Sequence, residues 1–276
     1  MAGQVAVITG AASGIGRGLA EHAAQLGLRL VLADVDERSL VALAASLQGQ
    51  GADVLACVTD VGDVEQVAQL RDAAVARFGG VDLLFNNAGV MQTGYSWEID
   101  AAQWQRMLDI NLRGVINGVR CFVPLLLAQG RPAHVVNTAS LAGLISSPML
   151  GPYNVTKQAV VALSETLHYE LLQVGASVSV SVLCPGPVAS AIMASDSAGE
   201  GAAASLNAML DSSIRAGMAP RELAALVFEA IAQQRFWILP HKDFKPALEL
   251  RLRSILEETN PRFAMLDVQG ETHAAR

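Results

Sequence analysis

The chain has 276 residues and a mass of 28.9 kDa, with 52% hydrophobic but only 16% charged residues and a mean hydropathy of +0.36. That balance excludes intrinsic disorder, which needs low hydrophobicity and high net charge. A formal net charge of −7, with no Lys/Arg block, excludes a nucleic-acid surface.

The shortage of charge raises a membrane span instead. Residues 132–156 and 171–195 carry no Asp, Glu, Lys or Arg, and each run is long enough to cross a bilayer. Pro132, Gly143, Pro148, Gly151 and Pro152 interrupt the first, and Gly175, Pro185, Gly186 and Pro187 the second, so no membrane span is expected. Cys57, Cys121 and Cys184 are odd in number and widely spaced, which predicts neither a disulfide framework nor a zinc site. The five histidines lack metal-ligand spacing, and no metal is expected. The N-terminus opens directly on a strand-like run, which points to a cytoplasmic location.

In chain order, a strand predicted at 4–9 leads through Thr9-Gly10-Ala11-Ala12-Ser13-Gly14-Ile15-Gly16 into a helix at 15–26. A strand at 29–33 and a helix at 37–48 follow, then a strand at 53–58, Thr59-Asp60-Val61 and a helix at 64–78. The fourth strand, 81–85, runs into Asn86-Asn87-Ala88-Gly89, and a long helix at 101–128 contains Asn111. The fifth, 134–139, ends at Ser140, with a helix at 153–173 beyond it. The sixth, 177–183, alternates Ser and Val and precedes Pro185-Gly186-Pro187-Val188; a helix at 220–233, a strand at 236–239 and a helix at 245–257 complete the chain. Regular alternation of nearly all-apolar strands with helices implies an α/β fold, one parallel sheet covered on both faces. No linker or repeat divides it.

Glycines in the first turn let the backbone approach a pyrophosphate, whose charge the free N–H groups and dipole of a helix N-terminus stabilise. Such clusters also occur at helix entries for conformational reasons alone. Asp34 closes the second strand, where a dinucleotide fold places the acid that holds the adenosine ribose. Its alternative is a helix N-cap, for which Asp36 is the better candidate. An acid there repels a 2′-phosphate and favours NAD, while Arg17 and Arg38 leave NADP possible. Asp60 is placed to accept from the adenine amino group and Val61 to pack on its ring; Asp60 could equally cap the helix starting near Asp63. Tyr153 and Lys157, four apart on a helix, share a face. A phenol titrates near pH ~10, and an adjacent ammonium lowers that value, giving a pair able to exchange a proton with an alcohol. Ser140 could donate to the same oxygen.

On the glycine turn, Asn86 to Gly89, Asn111, Ser140, the Tyr153/Lys157 pair and Pro185 to Val188, taken in that order, the chain resembles the short-chain dehydrogenase/reductase family over residues 4–239. The resemblance implies a single-domain Rossmann-type doubly wound fold and an NAD(P)-dependent alcohol dehydrogenase or carbonyl reductase. It implies Tyr153 as acid/base, Lys157 lowering its pKa and binding the nicotinamide ribose, Ser140 orienting the substrate oxygen and Asn111 holding a water in a proton relay. Gly10, Ser13, Gly14, Ile15, Gly16, Asp34, Asp60, Val61, Asn87, Ala88 and Gly89 would bind the cofactor, with Pro185, Gly186 and Val188 near its nicotinamide. The alternative is a non-catalytic dinucleotide sensor or scaffold, for which the acid/base pair would be unnecessary.

The C-terminus departs from the commoner family pattern. A catalytic domain at 1–243 is followed by a helical extension and tail at 244–276, with Ala247, Leu248, Leu250, Leu252, Ile255 and Leu256 expected to form a packed face and residues from about Val268 onward to fray. The extension puts the usual tetramer in doubt; a homodimer through the two long helices, or a homotetramer, is expected. Substrate walls should come from 90–97, 141–152 and 189–218, with Met91, Leu141, Leu144, Met149, Leu150, Ile192 and Met193 as apolar candidates and 195–205 as a lid. These residues point to a neutral, lipophilic secondary alcohol or ketone.

Overall fold

Seven apolar strands pair in parallel in the order β3-β2-β1-β4-β5-β6-β7: β1 Val5–Thr9, β2 Arg29–Asp34, β3 Val54–Val58, β4 Leu83–Asn86, β5 Ala133–Thr138, β6 Val178–Leu183 and β7 Trp237–Ile238. The computed structural model describes residues 1–190, 192–193 and 202–263. Helices α1 Gly14–Gln25, α2 Glu37–Gly49, α3 Val64–Phe78, α4 Ala101–Leu108, α5 Gly114–Ala128, α6 Gly151–Gln173, α7 Ala202–Arg215, α8 Pro220–Ala232 and α9 Lys245–Leu256 flank the sheet. Every residue of β1, β4 and β5 is buried, because the central strands are covered on both faces. Chain order reverses between β1 and β4, so the strand ends diverge there and leave a crevice at the carboxyl edge, where such folds bind their ligands.

The helix starts follow local chemistry. Asp36 accepts from Ser39 N–H and caps α2; Asp63 accepts from Glu65 and Gln66 N–H and caps α3. The capping alternative for Asp60 is thereby corrected: its Oδ1 accepts from Gly62 N–H at 2.8 Å within the preceding turn.

The helix expected over 101–128 is interrupted. A π-turn, Asp109–Arg113, separates α4 from α5 and surrounds the fully buried Asn111, a local change of winding in the helical stretch. This stretch has the length and hydropathy of a bilayer span, but Val115, Phe122 and Leu126 are buried within it and the last two pack in the sheet's core. It is a core helix.

The serines of β6 also find their reason. Ser181 is fully buried, accepts from His134 Nε2 on the neighbouring strand at 2.7 Å and donates to Arg235 O at 2.6 Å. Burial pushes His134 down from 6.5 to about 4. The folded state therefore holds the neutral ring, while the unfolded chain takes up a proton as pH falls below 6.5. Stability from this group is complete above that value and is lost towards pH 4, by roughly 3 kcal/mol. Urea unfolding across this range should show the loss in the wild type and a shallower slope in His134→Gln, which keeps a donor but cannot titrate; identical slopes would contradict the assignment.

The C-terminal region differs from expectation in two places. Residues 189–218, taken as loop, contain α7; the part of the expected lid between 194 and 201 lies outside the described residues, as does the tail from Val268. Ala, Ser and Gly suit a loop by composition, yet Ala202 to Arg215 also lacks any helix breaker, and Leu210 and Ile214 find apolar partners. Helix α9 is not a fully packed face. Leu248 rests on the cluster containing Leu144, Val160 and Val161, whereas Leu250, Leu252, Ile255 and Leu256 are exposed.

Candidate active site

A cleft of about 600 Å³ opens along the carboxyl edge of the sheet, from Asp34 and Asp60 at one end to Tyr153, Pro185 and Ile192 at the other. Its floor is the first turn. Gly10 and Gly14 have φ of +63° and +48°, the left-handed region that favours glycine. Ser13 stands at the N-cap of α1 without a side-chain capping bond, which leaves the first-turn N–H groups available to an anion. Gly10, Ser13, Gly14 and Ile15 line the cleft. Gly16 does not: it is buried behind them, where a Cβ would lie 2.7 Å from the Gly10 carbonyl carbon and 2.8 Å from Asn87 Nδ2.

The amide just after β4, Asn87, ties strand ends together. Asn87 Nδ2 donates to Thr9 O at 3.0 Å, and its Oδ1 accepts from the Thr138 hydroxyl at 3.3 Å. Thr9 Oγ1 accepts from the N–H groups of Asn87 and Ala88 at 2.9 and 3.1 Å. This stitching brings Ala88 and Gly89 against the first turn; a Cβ on Gly10 would meet Ala88 Cα at 2.8 Å. Asp34 accepts from Ala12 N–H at 2.9 Å and from Asp36 N–H at 3.0 Å, which fixes its carboxylate at the cleft's rim. Arg17 is held by Glu21 at 2.7 Å, and neither it nor Arg38 lines the cleft.

Tyr153 and Lys157 enter from the first turns of α6, which begins two residues earlier than expected, at Gly151, with Pro152 in its first turn. The phenol is 6% exposed and the ammonium 2%. Lys157 Nζ donates to Thr138 O at 2.9 Å and lies 5.7 Å from the Tyr153 ring centre. Burial pushes the phenol above its ordinary value, opposed by a hydrogen bond with Ser140, and pushes Lys157 down to about 8. The expected lowering of the phenol by Lys157 is thus not the dominant effect here: desolvation outweighs a cation several ångströms from the ring, and at neutral pH Tyr153 is a proton donor. Ser140, at the end of β5, accepts from Ala142 N–H at 3.2 Å and lines the cleft beside both.

Other expected residues fall differently. Asn111 lies off the cleft, its Oδ1 accepting from Val90 N–H at 2.8 Å and its Nδ2 donating to Val90 O at 2.9 Å, so its side chain braces the strand-four loop. Asp60, Val61, Asn87, Ala88, Gly89, Pro185, Gly186 and Val188 all line the cleft. Met91, Leu141, Leu150 and Ile192 form part of its apolar wall; Met193 packs behind them, bridged to Met91. Met149 adopts φ +61°, gives its carbonyl to Gly94 N–H at 2.9 Å and does not line the cleft, and Leu144 packs into the core instead. Leu210 and Ile214 lie in the 189–218 stretch expected to supply walls, though neither was among the named candidates, and Arg106 was not anticipated. Ile110 was missed too, although Arg106 and Ile110 are four apart on the helical stretch before Asn111, a spacing that could have revealed their common face.

The cleft has the parts a nicotinamide dinucleotide needs: a glycine floor at a helix N-terminus, an acid at the ribose end, and space beside Gly89, where a Cβ would come within 3.4 Å of Lys157 Nζ. The family model for short chain dehydrogenases matches residues 4–201. A CLA biosynthesis dehydrogenase/reductase of Lactiplantibacillus plantarum is 30% identical over 96% of this chain and 97% of its own length. A 1-deoxy-11-beta-hydroxypentalenate dehydrogenase of Streptomyces exfoliatus is 35% identical over 92% and 88%. The crystal structure of a short chain dehydrogenase/reductase from Burkholderia phymatum in complex with NAD superposes with a TM-score of 0.91 at 43% identity, covering 95% of this chain and 97% of that one. With the glycine turn, the Ser140/Tyr153/Lys157 cluster and a match over most of its length, the chain belongs to the short-chain dehydrogenase/reductase family of NAD(P)-dependent oxidoreductases.

Proposed function

We propose that the protein interconverts a neutral, lipophilic secondary alcohol and its ketone, with NAD favoured over NADP. The observation that carries this reading is the convergence of Ser140, Tyr153 and Lys157 beside the cleft wall formed by Met91, Leu150, Ile192, Leu210 and Ile214. The dinucleotide, when bound, supplies or accepts the hydride. In reduction, the Tyr153 O–H gives its proton to the carbonyl oxygen while the Ser140 hydroxyl donates a second hydrogen bond, which stabilises the negative charge that develops there. In oxidation the same groups work in reverse, and Tyr153 must first lose its proton. Lys157 stabilises the resulting phenolate and would bind the hydroxyls of the nicotinamide ribose. With the Asn111 side chain committed to Val90, a water relay at this position would use the Asn111 main-chain carbonyl, within the π-turn.

Support for NAD is the Asp34 carboxylate at the rim together with the engagement of Arg17 by Glu21. The lipophilic substrate is supported by Met91, Leu150, Ile192, Leu210 and Ile214, which cluster around the Tyr153 ring. A relative named as a hydroxypentalenate dehydrogenase is consistent with oxidation of a hydroxyl group. The homo-oligomer through the long helices is supported by Leu127 on α5 and by Val155, Tyr169 and Leu172 on α6, all exposed.

The test is absorbance at the reduced-nicotinamide band with a panel of secondary alcohols and both cofactors. Neutral lipophilic alcohols with NAD should give the fastest turnover. Arg106 is, with Lys157, one of two cations on the cleft wall among the described residues; carboxylated and phosphorylated alcohols are therefore included, and a strong preference for either would overturn the neutral-substrate reading. No turnover across the panel, with NAD bound, would favour the sensor.

A further inference from the structure

The segment that follows β7 lies beyond the expected cofactor and substrate loops, yet it touches the Gly186–Pro187 wall of the cleft. His241 presents both ring nitrogens to one loop: Gly186 N–H donates to Nδ1 at 3.0 Å, and Nε2 lies 3.1 Å from Pro187 O. A nitrogen that accepts carries no proton, so the neutral ring bears its proton on Nε2 and donates to Pro187. The ring also lies against the backbone, since a Cβ on Gly186 would meet His241 Cγ at 2.9 Å. That loop is joined to the Ser140 segment by Leu141 N–H donating to Pro185 O at 2.9 Å. The opposite side of the same segment is held from α9, where Arg251 Nη1 donates to Leu144 O at 3.0 Å.

We infer that His241 is a positioning residue for the nicotinamide end of the cleft, holding Pro185 to Val188 at the height from which its backbone meets the ring. This rests on the reading above that Pro185 to Val188 contacts the nicotinamide. The physical case is one of donor and acceptor direction. Both prolines lack an N–H, so Gly186 supplies the loop's N–H between them, and His241 is its acceptor. Pro187 O accepts from Met218 N–H at 3.0 Å as well as from His241, so the loop is gripped from α7's end and from the C-terminal segment together. Without His241, the Gly186 N–H turns to solvent or to the cofactor space and the loop settles elsewhere.

The discriminating measurement compares NAD with ADP-ribose, which carries the adenosine and phosphate parts but no nicotinamide. In His241→Phe, which keeps a ring against Gly186 and removes both hydrogen bonds, NAD affinity should fall about tenfold, the equivalent of one neutral hydrogen bond. ADP-ribose affinity should remain within twofold of wild type. His241→Asn, whose side-chain oxygen sits close to the position of Nδ1, should recover most of the NAD affinity. Equal weakening of both ligands would show general loosening and overturn the assignment, as would unchanged NAD binding, or an Asn variant no better than Phe. If His241→Phe does not fold, His241→Leu, which likewise offers no hydrogen bond, takes its place with the same expectations. A wild-type protein that bound neither ligand would overturn the dinucleotide reading itself, a result separate from any difference between variants.

Discussion

Tyr153→Phe should lower kcat/KM for alcohol oxidation by on the order of 10³-fold while NAD affinity changes by no more than about twofold. Phe fills the same buried space, so the 6%-exposed site is neither emptied nor overpacked. What disappears is the oxygen proposed to exchange a proton with the substrate, together with its hydrogen bond to Ser140. Because burial raises the phenol above its ordinary value, Tyr153 stays protonated at neutral pH and the phenolate fraction grows as pH rises, so wild-type oxidation should increase with pH into the alkaline range. Reduction should hold across neutrality, where Tyr153 keeps its proton, and weaken only as pH passes the raised value of the phenol. Residual activity in Tyr153→Phe should lack this rise. Steady-state rates across pH, with NAD binding followed separately, check both halves; turnover that survives the substitution would remove Tyr153 from the chemistry.

Gly16→Ala has the second large expected effect, and it acts through the floor of the cleft rather than its reacting atoms. A methyl group there would press on the Gly10 carbonyl carbon at 2.7 Å and on Asn87 Nδ2 at 2.8 Å. Neither neighbour can yield cheaply. Gly10 is main chain in the left-handed region, and Asn87 holds Thr9 and Thr138 together across the strand ends. Overpacking of this kind should cost about 3 kcal/mol of stability and weaken NAD binding more than tenfold, because it displaces the turn proposed to hold the cofactor's phosphates. Gly49→Ala is the control: it lies in α2 with nothing within 4 Å of the added Cβ, and should be neutral or slightly stabilising. Urea unfolding and NAD titration of both variants separate a local clash from a general intolerance of glycine replacement.

These expectations draw on features that were legible to different degrees in the sequence. The strands of the sheet stand close to where apolar runs between helical stretches place them, because a strand covered on both faces must be apolar along its length and little else in the chain is. The glycine turn and the Tyr153/Lys157 spacing were readable for a similar reason: each is a short stretch in which backbone geometry alone sets which groups lie side by side. Helix α7 was hidden because Ala and Ser serve loops and helices alike, and only the contacts of Leu210 and Ile214 around Tyr153 decide between them. Met149 and Leu144 were read as substrate walls on apolarity. One turned its backbone into the left-handed region to meet Gly94, and the other packed under α9.

The charge-free runs at 132–156 and 171–195 bring the two kinds of information together. By itself the sequence determined that these runs break at proline and glycine, that the chain alternates strand and helix, and that a phenol, an ammonium and a hydroxyl are spaced for proton exchange. Those are local properties, set by residue type and helical or extended repeat. The tertiary structure alone decided that the runs converge on one cleft, that burial drives Tyr153 up and Lys157 down, and that Asn111 spends its amide on Val90. Desolvation and hydrogen-bond partnership depend on which distant elements close over a group. In this protein, strands and helices far apart in the chain supply that cover, and with it the proton affinity of the site.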